Sequence, residues 1–170
     1  MVTTACSRGA TVTLPPLVSE ASPTLPGKFV WHNLITPDAE SARNFYSAVF
    51  GWELEEIAGG VYTEVTYRGR SLGGIVDASK QDSPPRSAVW LAGVSVPDVD
   101  ATLSQAMAGG ADAVLPPTDI PNVGRIAVFS DPQGAVLQLI DSNDGDPPDS
   151  PAMEYTWLWH EMISGIRSET

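Results

Sequence analysis

The sequence predicts an α+β domain in which two βαβββ modules form one curved, cup-shaped mixed sheet with the helices outside. The chain has 170 residues, enough for one domain of ordinary size. A strand, a helix and three short strands can be followed twice along it. A Pro-Asp pair stands where each helix begins, at Pro37-Asp38 and again at Pro97-Asp98. Because neither half-size sheet could bury both of its faces alone, the two modules are expected to pair.

The first module opens with the strand Phe29–Thr36, which is mostly apolar. Thr36 is the predicted N-cap of the following helix, with Pro37 at the first helical position, where a missing N–H costs nothing. The helix continues to about Phe50. Gly51 can end it, because glycine readily adopts the left-handed backbone conformation that often follows a helix. Glycine-containing turns then separate three predicted strands, near 52–57, 61–67 and 71–77.

The second module repeats this order. Its opening strand is 88–96, and its helix runs from about Val99 to Ala108. The stretch 131–134, Asp-Pro-Gln-Gly, matches a type I turn and predicts a hairpin between the last two strands. The three strands of this module are predicted near 112–115, 124–130 and 135–141.

Two segments outside the repeat have the composition of linkers. Residues 1–27 are rich in Pro, Ser and Thr and follow neither a strand nor a helix period, so they are expected to stay extended, disordered and mobile. Residues 143–151 are acidic and Pro-rich. The compact domain is therefore predicted to span 28–142.

The tail 152–170 is aromatic. Its segment 157–164 is similar in sequence to the opening strand 29–36, which suggests the start of a second module. The alternative is a C-terminal segment that packs its tryptophans on the domain. If those side chains were exposed instead, they would offer a surface for a partner protein.

Composition excludes several classes of function. The chain has 21 acidic and 9 basic residues, a formal net charge of −12, which argues against binding to nucleic acid or to an anionic membrane surface. No apolar run approaches the ~18 residues that a membrane span needs. The single cysteine, Cys6, rules out an internal disulfide and a zinc-cysteine cluster.

The stretches 30–38, 45–46, 50–52, 96–100, 109–110 and 124–135 carry a family resemblance. In their order and spacing they resemble the vicinal oxygen chelate superfamily, which includes glyoxalase I, extradiol dioxygenases and bleomycin-binding proteins. The detail is most similar to a metal-free, hydroxylase-like bacterial subgroup. The resemblance implies the cup-shaped fold, a small-molecule ligand and a homodimer.

The resemblance also implies where a metal ion would be held. Metal-dependent relatives carry four ligands, usually His and Glu, on strands that face the cup. The corresponding positions here are Trp31, Leu91, the stretch 73–76 and Gln138. Only Gln138 carries a donor side chain, and its neutral amide oxygen is a weak ligand. We therefore predict no metal cofactor, and neither glyoxalase nor dioxygenase activity.

His32 supports the opposite view, because it stands beside a ligand position. Successive side chains of a strand point to opposite faces, so a Trp31 that faces the cup directs His32 away from it. A β-bulge would reverse this arrangement. The alternative is therefore a metal-dependent lyase or dioxygenase in which His32, Gln138 and an acidic residue hold a divalent ion.

Strand phase also predicts the lining of the cup. The candidate ligand-binding residues are Trp31, Asn33, Glu64, Leu91, Arg125 and Gln138, with the phase of Glu64 and Arg125 less definite. Apolar walls with a few polar groups suit a small molecule, which Trp31 would stack against and the two amides would orient. The leading prediction is metal-independent binding of a small, partly aromatic molecule. In the alternative, Trp31 and Leu91 fill the cup and the domain is a structural or interaction module.

Cys6 bears on cellular location. The sequence Thr-Thr-Ala-Cys-Ser is similar to the lipid-attachment site of bacterial lipoproteins, but only five residues precede the cysteine. The chain as written is expected to be cytoplasmic. If translation started upstream, the alternative would be a lipid anchor at Cys6 in the bacterial envelope.

Overall fold

The computed structural model describes residues 13–79, 81, 84–149, 151–158 and 160–161. Its elements follow the predicted order of strand, helix and three strands, twice. They are β1 (Phe29–Thr36), α1 (Ala39–Phe50), β2 (Glu53–Ile57), β3 (Tyr62–Tyr67), β4 (Arg70–Asp77), β5 (Val89–Ser95), α2 (Val99–Ala108), β6 (Asp112–Ile120), β7 (Gly124–Ser130) and β8 (Val136–Ser142).

These strands form one mixed sheet in the order β2-β3-β4-β1-β5-β8-β7-β6. The two opening strands, β1 and β5, lie side by side and antiparallel at its centre, where Asn33 pairs with Leu91. β4 is parallel to β1, and β8 is parallel to β5, so the two modules have the same internal arrangement. The predicted α+β class and the pairing of two βαβββ modules are confirmed.

Both helices pack on the same face of the sheet. Ala39 of α1 belongs to a buried cluster with Leu34 and Ile75 of the sheet. Val99 and Leu103 of α2 form a second cluster, with Ala127 and Leu139 among its members. Since side chains alternate along each strand, the neighbours of these sheet residues point to the other, concave face. That face is left free to form the cup.

Each helix is capped by the aspartate of its Pro-Asp pair. The Asp38 carboxylate accepts a hydrogen bond from the Ser41 backbone N–H at 3.0 Å, and Asp98 accepts one from Ala101 at 2.9 Å. The prediction that Thr36 caps α1 is wrong. Its hydroxyl instead accepts from the Asp38 backbone N–H at 3.1 Å, and α1 begins only after Asp38. A carboxylate there also interacts favourably with the helix dipole.

The described part of the N-terminal segment, residues 13–27, packs against the domain. Leu17 is buried in a cluster with Trp31 and Ile140, and the Ser22 hydroxyl donates to the Asp146 carbonyl at 2.6 Å. The expectation of a free linker over 1–27 therefore fails for this part, because its scattered leucines find apolar partners that composition cannot reveal. Residues 1–12 lie outside the described residues.

The segment 143–149 supports the same region. The Asp146 side chain is fully buried and accepts hydrogen bonds from the Ser95 hydroxyl at 2.6 Å and from the Leu25 backbone N–H. The Ser22 backbone N–H donates to the Asp144 carbonyl at 2.9 Å. The two stretches with linker composition thus hold each other beside β5.

Leu17→Ala is expected to lower the free energy of unfolding by about 2 kcal/mol, because a buried leucine leaves a cavity. The cost is at the low end for a leucine, since the segment can also detach locally. Urea unfolding measures this change. The matched control is Leu158→Ala, because Leu158 is 78% exposed. Equal unfolding midpoints for the two variants would show that residues 13–27 do not pack on the domain in solution.

The described part of the C-terminal tail lies on the helix-bearing face. Trp157 packs edge-on against Trp90 and stacks on His32, and its indole N–H donates to the Leu72 carbonyl at 3.0 Å. Trp157 thus follows the alternative in which the tail packs on the domain, whereas Trp159 lies outside the described residues. That the tail is the start of a second module remains a prediction, since residues 159 and 162–170 lie outside the described residues.

Neither helix in the described part of the chain has the length and hydropathy to cross a membrane. Cys6 lies outside the described residues, so the location of the protein and the lipid anchor remain predictions.

Candidate functional site

The concave face of the sheet encloses a cavity of about 270 Å³. Its described lining comes from β1, β3, β4, β5, β6, β7 and β8 and from the N-terminal segment. The lining residues are Leu14, Pro15, Leu17, Trp31, Asn33, Ile35, Val61, Tyr62, Val76, Leu91, Leu115, Ile120, Val123, Ile126, Val128, Gln138 and Ile140. The alternative in which Trp31 and Leu91 fill the cup is therefore wrong.

The two adjacent residues Trp31 and His32 point to opposite faces of β1. Trp31 lines the cavity and is 5% exposed. His32 is buried on the other face, against the tail residues Trp157 and His160. The side-chain alternation that predicts this arrangement is confirmed at these positions, although the pairing of β1 with β5 shifts register between Phe29 and Trp31.

Four cavity side chains form a continuous chain of hydrogen bonds. The Trp31 indole N–H donates to the Tyr62 hydroxyl at 3.2 Å, and the Tyr62 hydroxyl donates to Asn33 Oδ1 at 3.3 Å. Asn33 Nδ2 then donates to Gln138 Oε1 at 3.2 Å. The chain crosses from β3 through β1 to β8, so it joins the two modules across the floor of the cavity. Its polar groups are the ones available to orient a ligand.

Tyr62 is a site residue that the sequence reasoning missed. It is 5% exposed, and its ring lies over Gly74, where an added Cβ would come within 2.0 Å of the ring. The glycine therefore makes the space through which the hydroxyl reaches Asn33. Burial raises the pKa of the Tyr62 phenol, so the group is neutral at physiological pH. The alternation of side chains along β3 could have identified it. Glu64 is predicted to face the cup, and Tyr62, two residues earlier, lies on the same face of the strand.

The structure does not bring Arg125 to the cavity. Its side chain lies on the helix-bearing face, where the guanidinium pairs with Asp100 of α2 and with Asp119 of β6, at 2.5 and 2.8 Å. The reason is the alternation of side chains along β7. Ile126 and Val128 line the cavity, so Arg125 and Ala127, which alternate with them, point to the helix-bearing face. The prediction that Arg125 lines the cup is wrong.

Glu64 shares the concave face of β3 but is not among the residues that line the cavity. Its carboxylate accepts a hydrogen bond from the Ser71 hydroxyl at 2.9 Å, and the Glu64 side chain is half-buried there. The full predicted set thus divides. Trp31, Asn33, Leu91 and Gln138 come together around the cavity, whereas Glu64 and Arg125 do not.

Comparison with protein families identifies the fold. The family model of the Glyoxalase/Bleomycin resistance protein/Dioxygenase superfamily matches residues 28–139, well over half of the chain. The chain belongs to this superfamily.

Curated proteins from two bacterial genera are similar in sequence to this chain. CFP32 of Mycobacterium bovis, provisionally named a glyoxylase, is 29% identical over 141 residues, which cover 79% of this chain and 53% of that protein. The anthracycline biosynthesis protein DauV of a Streptomyces species is 28% identical over 128 residues, 67% of this chain and 46% of that protein. The chain thus spans about half the length of these relatives.

Solved structures support the superfamily fold. Methylmalonyl-CoA epimerase of Streptomyces coelicolor, solved with 2-nitronate-propionyl-CoA, aligns with a TM-score of 0.51 and 17% identity over 73% of this chain and all of that one. The Mn(II)-bound glyoxalase of Novosphingobium aromaticivorans aligns with a TM-score of 0.51 and 15% identity over 74% of this chain and 43% of that one. At these identities the likeness concerns the fold.

The donor chemistry of the cavity does not fit the metal ion that many members of the glyoxalase superfamily hold. The described lining contains no carboxylate, imidazole or thiolate. Asn33 and Gln138 are neutral amides, and they hydrogen-bond to each other. Over the described residues, no group of three His, Cys, Asp or Glu side chains is close enough to share an ion. Hard and borderline divalent ions prefer charged oxygen or imidazole donors, which this floor lacks.

The ligand pair of the metal-dependent alternative, His32 and Gln138, is not brought together. Gln138 lines the cavity, whereas His32 lies on the helix-bearing face. These two side chains cannot hold one ion, because the sheet separates them. On its own face, Nε2 of His32 is in contact with Nε2 of His160. Burial and the neighbouring His160 lower the pKa of His32 to about 3, and burial also lowers the pKa of His160.

Proposed function

We propose that this glyoxalase-superfamily domain binds a small, largely apolar molecule with a flat aromatic part in the cup, without a metal ion. The observation that carries the proposal is the cavity of about 270 Å³ with Trp31 in its wall and apolar side chains over most of its described lining. Burial of apolar ligand surface there would supply most of the affinity, at about 25 cal/mol per Å². Trp31 offers a flat face for stacking.

The hydrogen-bonded floor supports the same proposal. A binding site needs a few placed polar groups among apolar walls, and Tyr62, Asn33 and Gln138 are such groups. They hold one another in position before any ligand arrives, so little side-chain entropy would be lost on binding. The relatives' names, anthracycline biosynthesis protein and glyoxylase, are those of small-molecule chemistry. A homodimer, as the resemblance implies, remains a further prediction.

Binding of N-phenyl-1-naphthylamine, a neutral dye that becomes fluorescent in apolar surroundings, tests the proposal. We expect saturable fluorescence with one dye per cavity. Leu91→Trp should abolish it, because a larger side chain fills the cup at a stability cost of about 1–3 kcal/mol. The matched control is Trp90→Phe. Trp90 is the residue before Leu91 in β5 and points to the opposite face, so this variant should still bind the dye. Dye binding that Leu91→Trp leaves unchanged would contradict the proposal.

Metal analysis of the purified, dialysed protein tests the second part of the proposal. We expect no stoichiometric divalent ion and the same dye affinity with and without a chelator. A tightly held ion at one per chain would instead favour the metal-dependent lyase or dioxygenase.

A further inference from the structure

The hydrogen-bond chain on the cavity floor has a fixed direction. The Trp31 indole N–H can only donate and Asn33 Oδ1 can only accept, so the Tyr62 hydroxyl accepts from the first and donates to the second. With its oxygen engaged, Asn33 turns Nδ2 toward Gln138 and occupies Gln138 Oε1. The amide orientation of Gln138 is thereby set, and its Nε2 group is left as the terminal donor of the chain.

The geometry points to a ligand class: a neutral, largely apolar molecule that presents a carbonyl-type oxygen to the Gln138 amide N–H. This inference rests on the proposed function and specifies what the cavity recognises. A ligand that presented only donors would face another donor. A ligand with an acceptor oxygen would complete the chain that Trp31 begins.

The charge of the ligand follows from the same lining. Of the described residues around the cavity, none is ionisable at neutral pH, since Tyr62 stays a neutral phenol. A charged group brought into such a site loses its hydration without gaining a partner, which disfavours anions and cations alike. The carboxylate of Glu64, on the same face of β3, would further repel an anion.

Tyr62 is a positioning residue in this scheme. It holds the Asn33 amide in the orientation that turns Gln138, while its ring is kept in place over Gly74. Tyr62→Phe removes the hydroxyl and keeps the ring, so Asn33 and Gln138 can reverse their amides. We therefore expect Tyr62→Phe to reduce discrimination between ligands with and without a carbonyl.

Two ligands that differ by one carbonyl, 9-fluorenone and fluorene, test the inference by displacement of N-phenyl-1-naphthylamine. We expect fluorenone to bind about tenfold more tightly than fluorene, the effect of one well-placed hydrogen bond. 9-Fluorenone-2-carboxylate should bind at least tenfold more weakly than fluorenone, because the cavity offers its charge no partner.

Substitution of Gln138 assigns the effect to its amide. Gln138→Glu and Gln138→Met should each remove the preference for fluorenone, so that each variant binds fluorenone and fluorene with equal affinity. Gln138→Met introduces no buried carboxylate, so it tests the role of the amide even if Gln138→Glu does not fold. The matched control is Gln133→Met, because Gln133 is exposed in the turn between β7 and β8.

The outcomes separate this inference from the proposed function. Equal affinities for fluorenone and fluorene in the unaltered protein, with dye binding intact, would overturn the carbonyl-acceptor class alone. A preference that survives Gln138→Met would overturn the role of the amide. Failure of the dye and of both fluorene compounds to bind would overturn the proposed function as well.

Discussion

Gly73→Ala is expected to destabilise the domain by about 4 kcal/mol or more, a large share of the about 5–15 kcal/mol by which folded domains are stable. Gly73 lies in the middle of β4 with φ of +151°, a conformation that L side chains rarely adopt. A Cβ there would come within 2.0 Å of the His32 carbonyl oxygen in β1. Because that atom belongs to the backbone of the central strand, it cannot move without breaking the pairing of β1 with β4. Both conformational strain and steric overlap therefore add to the cost.

Gly69→Ala is the control that separates these two causes. Gly69 also has positive φ, +74°, in the turn before β4, but a Cβ there would meet no atom within 4 Å. Only the conformational cost remains, about 1–2 kcal/mol. Urea or thermal unfolding of the two variants gives the comparison. If Gly73→Ala cost no more than Gly69→Ala, the close approach of β4 to β1 would not exist in solution.

Mild acid is expected to weaken the fold by about 2 kcal/mol between pH 7 and pH 5, as His32 becomes protonated in the unfolded chain. The folded-state pKa of His32 is lowered to about 3, by burial first and then by His160, against an ordinary value of 6.5. The unfolded state thus binds more protons within this window, so stability falls as the pH falls. The lowered pKa of His160 acts in the same direction. Denaturant titrations at several pH values measure the slope.

His32→Phe is the matched control for this prediction, because it keeps an aromatic ring against Trp157 and removes the titrating group. Its stability should change by well under 2 kcal/mol between pH 7 and pH 5. Asp38 and Asp100 have lowered pKa values and lose their contribution only near or below pH 4. The raised pKa of Asp141 has the opposite effect on stability, but it is present in both proteins and so cancels in the comparison. Parallel pH profiles for the two proteins would contradict the assignment to His32.

Local patterns in the sequence were sufficient for the order of the elements and for part of the site. Hydrophobic periodicity, Pro-Asp helix starts and glycine turns act over a few residues, so they could be recognised without a partner strand. The alternation along β1 likewise separates Trp31 from His32, and the same rule brings Leu91 and Gln138 to the cup. It failed for Arg125, where the correct phase became evident only from its ion pairs with Asp100 and Asp119.

The sequence by itself determined the two-module fold, the inward tryptophan and the absence of charged donors at the positions where metal-dependent relatives hold an ion. Only the tertiary structure decided that Leu17 closes part of the cavity, that Gly74 admits the Tyr62 ring, and that Tyr62, Asn33 and Gln138 form one directed chain. The physical reason is distance along the chain. Tyr62 and Gly74 lie 12 positions apart and Asn33 and Gln138 lie 105 apart, and such pairs meet only when the strands have taken their places in the sheet.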